Sequence, residues 1–365
     1  MSRRLRLLLT TDAVGGVWTY SLDLAAALAE EADACIILAA LGPAPSAAQQ
    51  DAAAAIPGLQ LAVTGLPLDW TADSADTLRG CADELATLAN SAAADLVQVH
   101  APALAIARFD VPVVSVVHSC VASWWEAVKG TELSPDLTWR RDLAREGLDH
   151  SDLVVAPTRA FARAVQQAYG LAALPAAVHN GRKPAAVRPA RAEPFALTAG
   201  RLWDEGKNIA AFDGAAALGT LPFRAAGPLA GPNGAAAVLN TAEWLGNLSP
   251  EQLAEQLACR PIFVSPALYE PFGLAVLEAA QAGCPLVLAD HPTFRELWDG
   301  AALFVEPTAD QIAATVDLLA TSPAERQRLG TAARKRAARF TPQATARAML
   351  AHYRALLGTA GRAAA

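Results

Sequence analysis

The chain has 365 residues, 53% of them hydrophobic and 18% charged, with a formal net charge of −7. That length favours two domains, because a single hydrophobic core rarely serves so long a chain. No apolar run approaches the ~20 residues needed to span a bilayer, and no basic surface is indicated, which argues against membrane-spanning and nucleic-acid-binding proteins. Five cysteines without paired spacing indicate reduced thiols and a cytoplasmic location.

The first half of the chain alternates between short apolar runs and helical patterns. The apolar runs are hydrophobic on both faces, as expected of strands buried in a parallel sheet. Strands are predicted at residues 5–9, 34–39, 95–99, 111–117 and 152–156, with helices such as 20–30 and 76–93 between them. This alternation predicts a doubly wound α/β domain over residues 1–182.

A second α/β domain is predicted over residues 195–340, after a linker at 183–194 that is rich in proline and basic residues. Its strands are predicted at 195–199, 223–226, 262–265, 285–289 and 303–305, and its helices at 208–218, 250–258, 274–282, 309–319 and 323–339. The remaining segment, 341–365, has a helical pattern over 342–357 that could pack on either domain, a crossing back to the first being one option. Ligands of open α/β sheets bind beyond the carboxyl ends of the strands, so two such domains predict a cleft.

Two cations follow the first strand of the second domain. Arg201 and Lys207 flank a turn between that strand and the helix predicted from Asn208. A helix N-terminus adds its dipole and free N–H groups to their charges, which favours a phosphate site. The alternative is a surface loop in which the cations pair with Asp204 and Glu205, and from these residues alone the two interpretations are even.

Two glutamates surround a helix start further along the chain. A buried strand runs into a loop that holds Glu270 and Gly273, and the next helix, from Leu274, carries Glu278 one turn inside. Glycine lets the backbone approach a ligand closely, and the free N–H groups of Gly273 and Leu274 can meet a diphosphate. Carboxylates accept hydrogen bonds from hydroxyl-rich ligands. An ordinary helix with acidic residues near its N-terminus explains one glutamate, but explains the Pro-Phe-Gly loop less well.

In the first domain the candidate residues also follow predicted strands. The adjacent glycines Gly15 and Gly16 lie between a strand and a helix and permit close backbone approach to a phosphate or a sugar. They lack a full Gly-x-Gly-x-x-Gly, so a nicotinamide fingerprint is not supported. His118 stands at the carboxyl end of another strand. The six histidines show no metal spacing, and a lone histidine is usually structural, but its position favours function.

Together these motifs resemble the family 4 retaining glycosyltransferases, which have the GT-B fold of two Rossmann-like domains facing across a cleft. The family's Glu-x7-Glu motif is matched by Glu270 and Glu278, and its Gly-Arg…Lys-Asn motif by Gly200-Arg201 and Lys207-Asn208. Further matching phrases are His179-Asn180-Gly181, Leu245-Gly-Asn-Leu-Ser249 and Gly283-Cys-Pro285. The resemblance covers nearly the whole chain, and the C-terminal half is the more specific match.

The resemblance implies a donor site for a nucleotide diphosphate sugar, with UDP as the default nucleotide and UDP-glucose as a guess. The implied donor contacts are Gly15, Gly16, Arg201, Lys207, the backbone near Leu248, Glu270, the backbone of Phe272, Gly273 and Leu274, and Glu278 at the ribose. The implied catalytic residues are His118, Arg201, Lys207 and Glu270, and the acceptor candidates are Trp18, His118, Trp124 and Trp125. For the tryptophan pair, buried packing is an equal alternative.

The implied reaction is sugar transfer to an acceptor hydroxyl with retention of anomeric configuration. It needs no metal or resident cofactor, because the two cations and a helix N-terminus supply the positive charge. No acceptor-side carboxylate stands out as a nucleophile, so a front-face mechanism fits better than the two-carboxylate scheme of glycosidases. Many family members have a different residue at the position of Trp18, and the first domain has no basic or amphipathic lipid-binding stretch. Both departures argue against a membrane-lipid acceptor.

Three rival functions are weighed against this prediction. A nucleotide-sugar epimerase or a sugar phosphorylase shares the fold, and acceptor-dependent release of the nucleotide distinguishes them. A catalytically silent sugar-nucleotide-binding protein is expected to lose motif residues, whereas Arg201, Lys207, Glu270 and Glu278 are all present. A Rossmann oxidoreductase is disfavoured by the incomplete glycine pattern. The base, the sugar, the acceptor and the oligomeric state are left open.

Overall fold

The computed structural model describes residues 4–186 and 190–363, and side chains as far as Gly358. Residues 1–3 of the predicted first domain, 187–189 of the predicted linker and 364–365 of the predicted terminal segment lie outside the described residues. The chain divides into two compact units. Unit 1 takes the chain up to Glu126, Gly130–Gly181 and the chain from Thr341 on, and unit 2 takes Ala127–Lys129 and Arg182–Phe340.

Unit 1 is built on a parallel seven-stranded sheet with the order β3-β2-β1-β4-β5-β6-β7. Its strands are β1 Leu5–Asp12, β2 Ala34–Leu41, β3 Leu59–Val63, β4 Leu96–Val99, β5 Val113–Val116, β6 Leu153–Ala156 and β7 Ala176–Ala177. Its helices are α1 Gly16–Glu31, α2 Ala47–Ala54, α3 Ala75–Ser91, α4 Val121–Lys129 (whose last three residues cluster with unit 2), α5 Thr138–His150, α6 Arg159–Tyr169 and α13 Pro342–Ala363.

Unit 2 repeats the plan with six parallel strands in the order β10-β9-β8-β11-β12-β13. Its strands are β8 Ala196–Ala199, β9 Phe223–Ala226, β10 Glu243–Trp244, β11 Ile262–Ser265, β12 Leu286–Ala289 and β13 Leu303–Val305. Its helices are α7 Ile209–Leu218, α8 Pro250–Ala258, α9 Leu274–Ala282, α10 Pro292–Trp298, α11 Ala309–Ala320 and α12 Pro323–Ala337. Two parallel sheets with flanking helices confirm the predicted fold class.

Alternate residues of the central strands face two different cores. In β1, Leu7 and Leu9 pack with α1 and α13 on one face, whereas Leu8 packs with α3 on the other. In β8, Leu197 and Ala196 are divided in the same way between the two cores of unit 2. Burial on both faces is why the central strands are continuously apolar rather than alternating.

The sheets extend beyond the predicted strands at their edges. The strands β3, β7 and β10 were not predicted, because two of them have only two residues and β3 is interrupted by a glutamine. The first strand also runs three residues past the predicted end, to Asp12. Thr10 and Thr11 are buried there, and Thr10 Oγ1 accepts a hydrogen bond from the His100 N–H at 2.9 Å. The hydroxyl is satisfied, so a polar residue continues a buried strand.

The main segment of unit 2, Arg182–Phe340, begins and ends at neighbouring points. The Arg182 N–H donates to the Phe340 carbonyl at 3.2 Å. In unit 1, a Cβ on Gly181 would lie 2.1 Å from the carbonyl carbon of Thr341, so only glycine fits there. Helix α13 then packs against α1, and Thr345 Oγ1 donates to the His179 carbonyl at 2.8 Å. Within the described ranges, no helix combines the length and hydropathy needed to cross a membrane.

Candidate active site

The loop after β8 is anchored by Asn208, the residue that precedes α7. Asn208 has a left-handed φ of +52°, which is uncommon for a residue other than glycine. Its Nδ2 donates to the carbonyls of Pro266 at 3.1 Å and Pro307 at 2.9 Å. These bonds tie the loop after β8 to the loops after β11 and β13. The carboxyl ends of three strands are thereby held together at one edge of the unit 2 sheet.

Lys207 and Glu270 meet at this edge. The Lys207 Nζ donates to Glu270 Oε2 at 2.6 Å, and the two side chains are only 22% and 16% exposed. An ammonium has three N–H donors and a carboxylate has two oxygens, so each partner keeps hydrogen-bonding capacity beyond the pair. The structure therefore brings together a cation and a carboxylate that the sequence placed 63 residues apart.

Arg201 is held in a fixed orientation beside the same loop. Its Nη2 donates to Asp204 Oδ2 at 2.9 Å, and Asp204 Oδ1 accepts from the Gly206 N–H at 2.9 Å. The Nε of Arg201 is buried and has no hydrogen-bond partner among the described residues. A buried donor left unpaired costs about 1–3 kcal/mol. The pairing with Asp204 that the surface-loop alternative required is thus present, yet Arg201 retains a donor for another group.

Helix α9 begins at this edge as well. The residue before it, Gly273, has a φ of +88°, and a Cβ there would lie 3.3 Å from side-chain carbons of Glu270, Val276 and Phe294. No side chain of the described residues caps the first N–H groups of α9. These groups and the helix dipole therefore remain available to an anion.

A shallow recess joins these features within unit 2. Its walls include Gly200, Lys207, Ser265, Glu270 and Ala275. The predicted donor residues Lys207 and Glu270 thus share one recess with Gly200 and the first turn of α9. The Phe272 side chain is directed elsewhere, because it is buried against Phe340 at a ring distance of 5.8 Å, which leaves only its backbone for a ligand.

Glu278 lies one turn further into α9 and forms an ion pair. The Arg182 Nε donates to Glu278 Oε1 at 2.7 Å, and the Gln281 Nε2 donates to the Arg182 carbonyl at 2.7 Å. Arg182 is not among the site residues predicted from the sequence. Its position directly after Asn180-Gly181 was the available signal. Leu248, predicted near the base, is half-buried in the loop between β10 and α8.

His291 is a second residue that sequence reasoning missed. It precedes α10, where its Nδ1 accepts from the Phe294 N–H at 3.4 Å and its ring stacks on Phe294 at 4.2 Å. Burial lowers the pKa of His291 to about 4, although the negative charge of Glu270 acts in the opposite direction. The imidazole is therefore neutral at pH 7. A histidine two residues beyond a buried strand was the signal that could have identified it.

In unit 1 the predicted residue His118 belongs to a cluster of aromatic rings in which Tyr20 is buried and the two histidines are partly exposed. Its ring lies 4.5 Å from that of Tyr20 and 5.0 Å from that of His100, both edge to face. Burial lowers the pKa of His118 to about 4, so the ring is neutral at pH 7. Its Nε2 has no hydrogen-bond partner among the described residues.

A hydrogen-bonded chain connects this cluster to α13. The Tyr353 hydroxyl donates to Gln98 Oε1, and Gln98 Nε2 donates to His100 Nε2 at 2.7 Å. Because Nε2 of His100 accepts, the proton of the neutral ring is assigned to Nδ1, which lies 3.4 Å from Ser21 Oγ. Buried polar groups are thus paired across the sheet. The chain links the C-terminal helix to the rings beside His118.

The other predicted residues of unit 1 differ in exposure. Gly15 and Gly16 stand at the start of α1, where Asp12 Oδ1 accepts from the Val14 and Gly15 N–H groups. Gly15 has an extended φ of −151°, so any special role there depends on the missing side chain and not on a left-handed backbone. Trp18 is only 6% exposed and packs in the core, which argues against its ring as an acceptor contact.

Trp124 and Trp125 lie in α4 with partly exposed side chains. Their rings are 6.4 Å apart, and Trp125 Nε1 donates to the Glu132 carbonyl at 2.9 Å. Both rings could therefore still meet a ligand. Across the part of the chain that the structure describes, no group of three or more histidine, cysteine, aspartate or glutamate side chains is arranged to hold a metal ion.

Two family models match the chain. The model described as Glycosyltransferase Family 4 matches residues 14–185, and that described as Glycosyl transferases group 1 matches residues 235–336. A curated relative, the MMP alpha-(1->4)-mannosyltransferase of Mycolicibacterium hassiacum, is 36% identical over 111 residues, which are 29% of this chain and 27% of the relative. The chain thus matches about a quarter of that relative's length.

Solved structures with similar folds span nearly the whole chain. The sucrose-phosphate synthase (tll1590) of Thermosynechococcus elongatus has a TM-score of 0.75 at 19% identity and covers 98% of this chain and 100% of its own. Anabaena Alr3699/HepE in complex with UDP-glucose has a TM-score of 0.72 at 18% identity, covering 97% and 100%. At these identities the likeness concerns the fold alone.

Proposed function

The chain belongs to the family 4 glycosyltransferases and has two Rossmann-like domains of the GT-B fold, and we propose that it uses a nucleotide diphosphate sugar as donor. The observation that carries this proposal is the recess in unit 2. It is lined by Lys207, Glu270 and the uncapped start of α9. Arg201, which follows β8, is held by its ion pair with Asp204. Two cations and a helix N-terminus suit a diphosphate.

Glu270 and Glu278 are the proposed acceptors for donor hydroxyls. Glu270 Oε1 is not engaged by the 2.6 Å bond to Lys207, so it is proposed to accept from the sugar. Glu278 is proposed to bind the ribose, with Arg182 holding one of its carboxylate oxygens at 2.7 Å. UDP is the proposed nucleotide and glucose the proposed sugar, a choice supported by the UDP-glucose complex of the similar HepE structure.

We propose that the transfer retains the anomeric configuration by a front-face route. The bond between the anomeric carbon and the diphosphate oxygen breaks, and the acceptor oxygen bonds to the same face of that carbon. The acceptor proton passes to the departing diphosphate oxygen. Arg201, Lys207 and the α9 N–H groups stabilise the negative charge that develops on the diphosphate, which is why no metal is included in the proposal.

The acceptor is proposed to be a hydroxyl compound that contacts unit 1. His118 stands at the carboxyl end of β5 and is neutral, so it can exchange hydrogen bonds with hydroxyl groups without adding charge. Trp124 and Trp125 are partly exposed and offer apolar faces of the kind that sugars pack against. Gly15 and Gly16 leave room for a ligand near the start of α1.

The proposal is tested by donor binding followed by turnover. Thermal unfolding is measured with UDP-, GDP- and ADP-glucose, and a bound donor at 100 times its Kd should stabilise the chain by about 2.7 kcal/mol. Release of nucleoside diphosphate is then measured with and without a panel of sugar acceptors. The Arg201→Ala variant should lose about 10²- to 10³-fold in turnover.

Arg328→Ala is the matched control, because Arg328 is an exposed arginine that pairs with Glu325 on α12. Its turnover should stay within about threefold of the parent, as is usual for a surface ion pair. The proposal fails if no nucleotide sugar stabilises the chain, or if Arg201→Ala is as active as the control. Nucleotide release that is independent of acceptor would instead indicate an epimerase or a hydrolase.

A further inference from the structure

Trp244 is an exposed aromatic residue on the edge strand of unit 2. Its side chain is 51% exposed, the highest value for an aromatic residue among the described residues of the unit. Strand β10 has only two residues and pairs with β9. The exposed indole of Trp244 offers a flat aromatic face to a ligand.

The indole of Trp244 leans toward the carboxyl end of the sheet. Trp244 is in register with Ala225 of β9, yet its Nε1 donates to the carbonyl of Gly227 at 2.9 Å. Gly227 lies two residues beyond Ala225, so the ring reaches forward along the strand direction. That direction leads to the edge at which open α/β sheets bind their ligands.

The same edge holds the proposed diphosphate residues. Gly227 has a φ of +137°, and a Cβ on it would lie 1.9 Å from the carbonyl oxygen of Gly200, the residue before Arg201. Strands β8, β9 and β10 are neighbours, and two strand spacings are about 10 Å. A ribose and a phosphate can bridge such a separation, so a nucleotide whose diphosphate meets Arg201 can place its base at Trp244.

We propose that Trp244 is the platform on which the base of the donor nucleotide stacks. The inference rests on the proposed nucleotide-sugar donor and assigns a residue to its recognition. The bond to Gly227 satisfies the indole N–H and fixes the ring, so little conformational entropy is lost when a base stacks on it. The backbone of the following loop is also fixed, because the Gly246 carbonyl accepts from the Gly227 N–H at 2.9 Å.

Three substitutions of Trp244 separate stacking from simple apolar coverage. Isothermal titration calorimetry measures the Kd of UDP, GDP and ADP for the parent and for Trp244→Ala, Trp244→Leu and Trp244→Phe. Loss of base stacking should raise the Kd of the preferred nucleotide about 5- to 150-fold in the alanine and leucine variants. Phenylalanine keeps a flat ring, so its variant should stay within about fivefold of the parent.

Trp70→Ala is the matched control, because Trp70 is an exposed tryptophan of unit 1, at 36%. Its Kd values should equal those of the parent. The Trp244 proposal is overturned if the alanine or the leucine variant binds the nucleotide as the parent does, while the donor proposal then stands. If the parent binds none of the three nucleotides, both proposals are overturned. A thermal unfolding midpoint near the parent's shows that each variant is folded.

Discussion

The two units share an architecture but differ in the chemistry at the carboxyl ends of their strands. In unit 2 the predicted site is charged: Lys207 pairs with Glu270, Arg182 with Glu278, and Arg201 with Asp204. In unit 1 the corresponding edge holds neutral rings, among them His118, which burial keeps uncharged. A diphosphate requires cations and an acceptor hydroxyl does not, so the contrast matches the two halves of the proposed reaction.

The largest expected effect of a substitution concerns the charge of unit 2. Lys207→Met removes the cation and keeps most of the side-chain volume, and it also leaves the largely buried Glu270 without its partner. We expect kcat/KM for the nucleotide sugar to fall about 10³-fold, which is about 4 kcal/mol of transition-state stabilisation. Steady-state nucleotide release measures this. A fall in kcat/KM of less than tenfold would contradict the contrast between the two units, because the charges of unit 2 would then not stabilise the donor diphosphate.

The next effect tests whether unit 1 contributes to the reaction without binding the nucleotide. His118→Ala should lower kcat about 10²-fold, since a group that orients a reactant is lost. The Kd of UDP should remain within about twofold of the parent value. Parallel turnover and calorimetry give both numbers. A Kd that rises in step with the loss of kcat would show that His118 serves the donor and not the acceptor.

Sequence reasoning identified the charged site more completely than the neutral one. Lys207 and Glu270 each stand next to a glycine-containing turn at a helix start, which is a local pattern with a physical reason. The rings near His118 have no such pattern. His100 is positioned through Gln98 by Tyr353, which lies 255 residues further along the chain than Gln98. Only the tertiary structure shows that α13 returns to this sheet.

Two tryptophans show that the exposure of a single side chain is also hard to predict from sequence. Trp18 was predicted as an acceptor candidate, but its position in α1 directs the ring into the core near Ala40 and Ala53. Trp244 was not singled out, because a two-residue edge strand has no detectable periodicity. Exposure of a side chain depends on which strand lies at the edge of the sheet, and the sequence did not establish that order.

A pH titration of stability examines the neutral rings directly. The pKa of His118 is near 4 in the folded chain and 6.5 in the unfolded reference, so the unfolded chain binds the proton first. The contribution of the neutral His118 ring to the free energy of unfolding is present above pH 6.5 and is lost as the pH falls toward 4. From pH 7 to pH 5 the parent should lose about 2 kcal/mol more free energy of unfolding than His118→Gln does. Urea unfolding at both pH values measures this, and equal losses would show that the ring is not held neutral.

The smallest expected effect concerns the hydroxyl of Tyr353. Tyr353→Phe removes the hydrogen bond to Gln98 and keeps the buried ring, so we expect a loss of about 1–2 kcal/mol in the free energy of unfolding. The Kd of UDP should not change, because Tyr353 belongs to unit 1 and the proposed nucleotide residues to unit 2. An increase in the Kd of UDP would mean that a substitution in unit 1 affects nucleotide binding in unit 2, and that the two sites are energetically coupled.

The hydrogen bond between Arg182 and Phe340 means that the main segment of unit 2, Arg182–Phe340, has adjacent ends, as an inserted domain has. Chains with adjacent ends tolerate transplantation and circular permutation well. Residues 182–340 are therefore the natural piece to exchange between relatives when a different donor is wanted for the same acceptor. Such a chimaera first requires that residues 182–340, expressed alone, unfold cooperatively. A gradual unfolding transition would show that this segment depends on the rest of the chain for its stability.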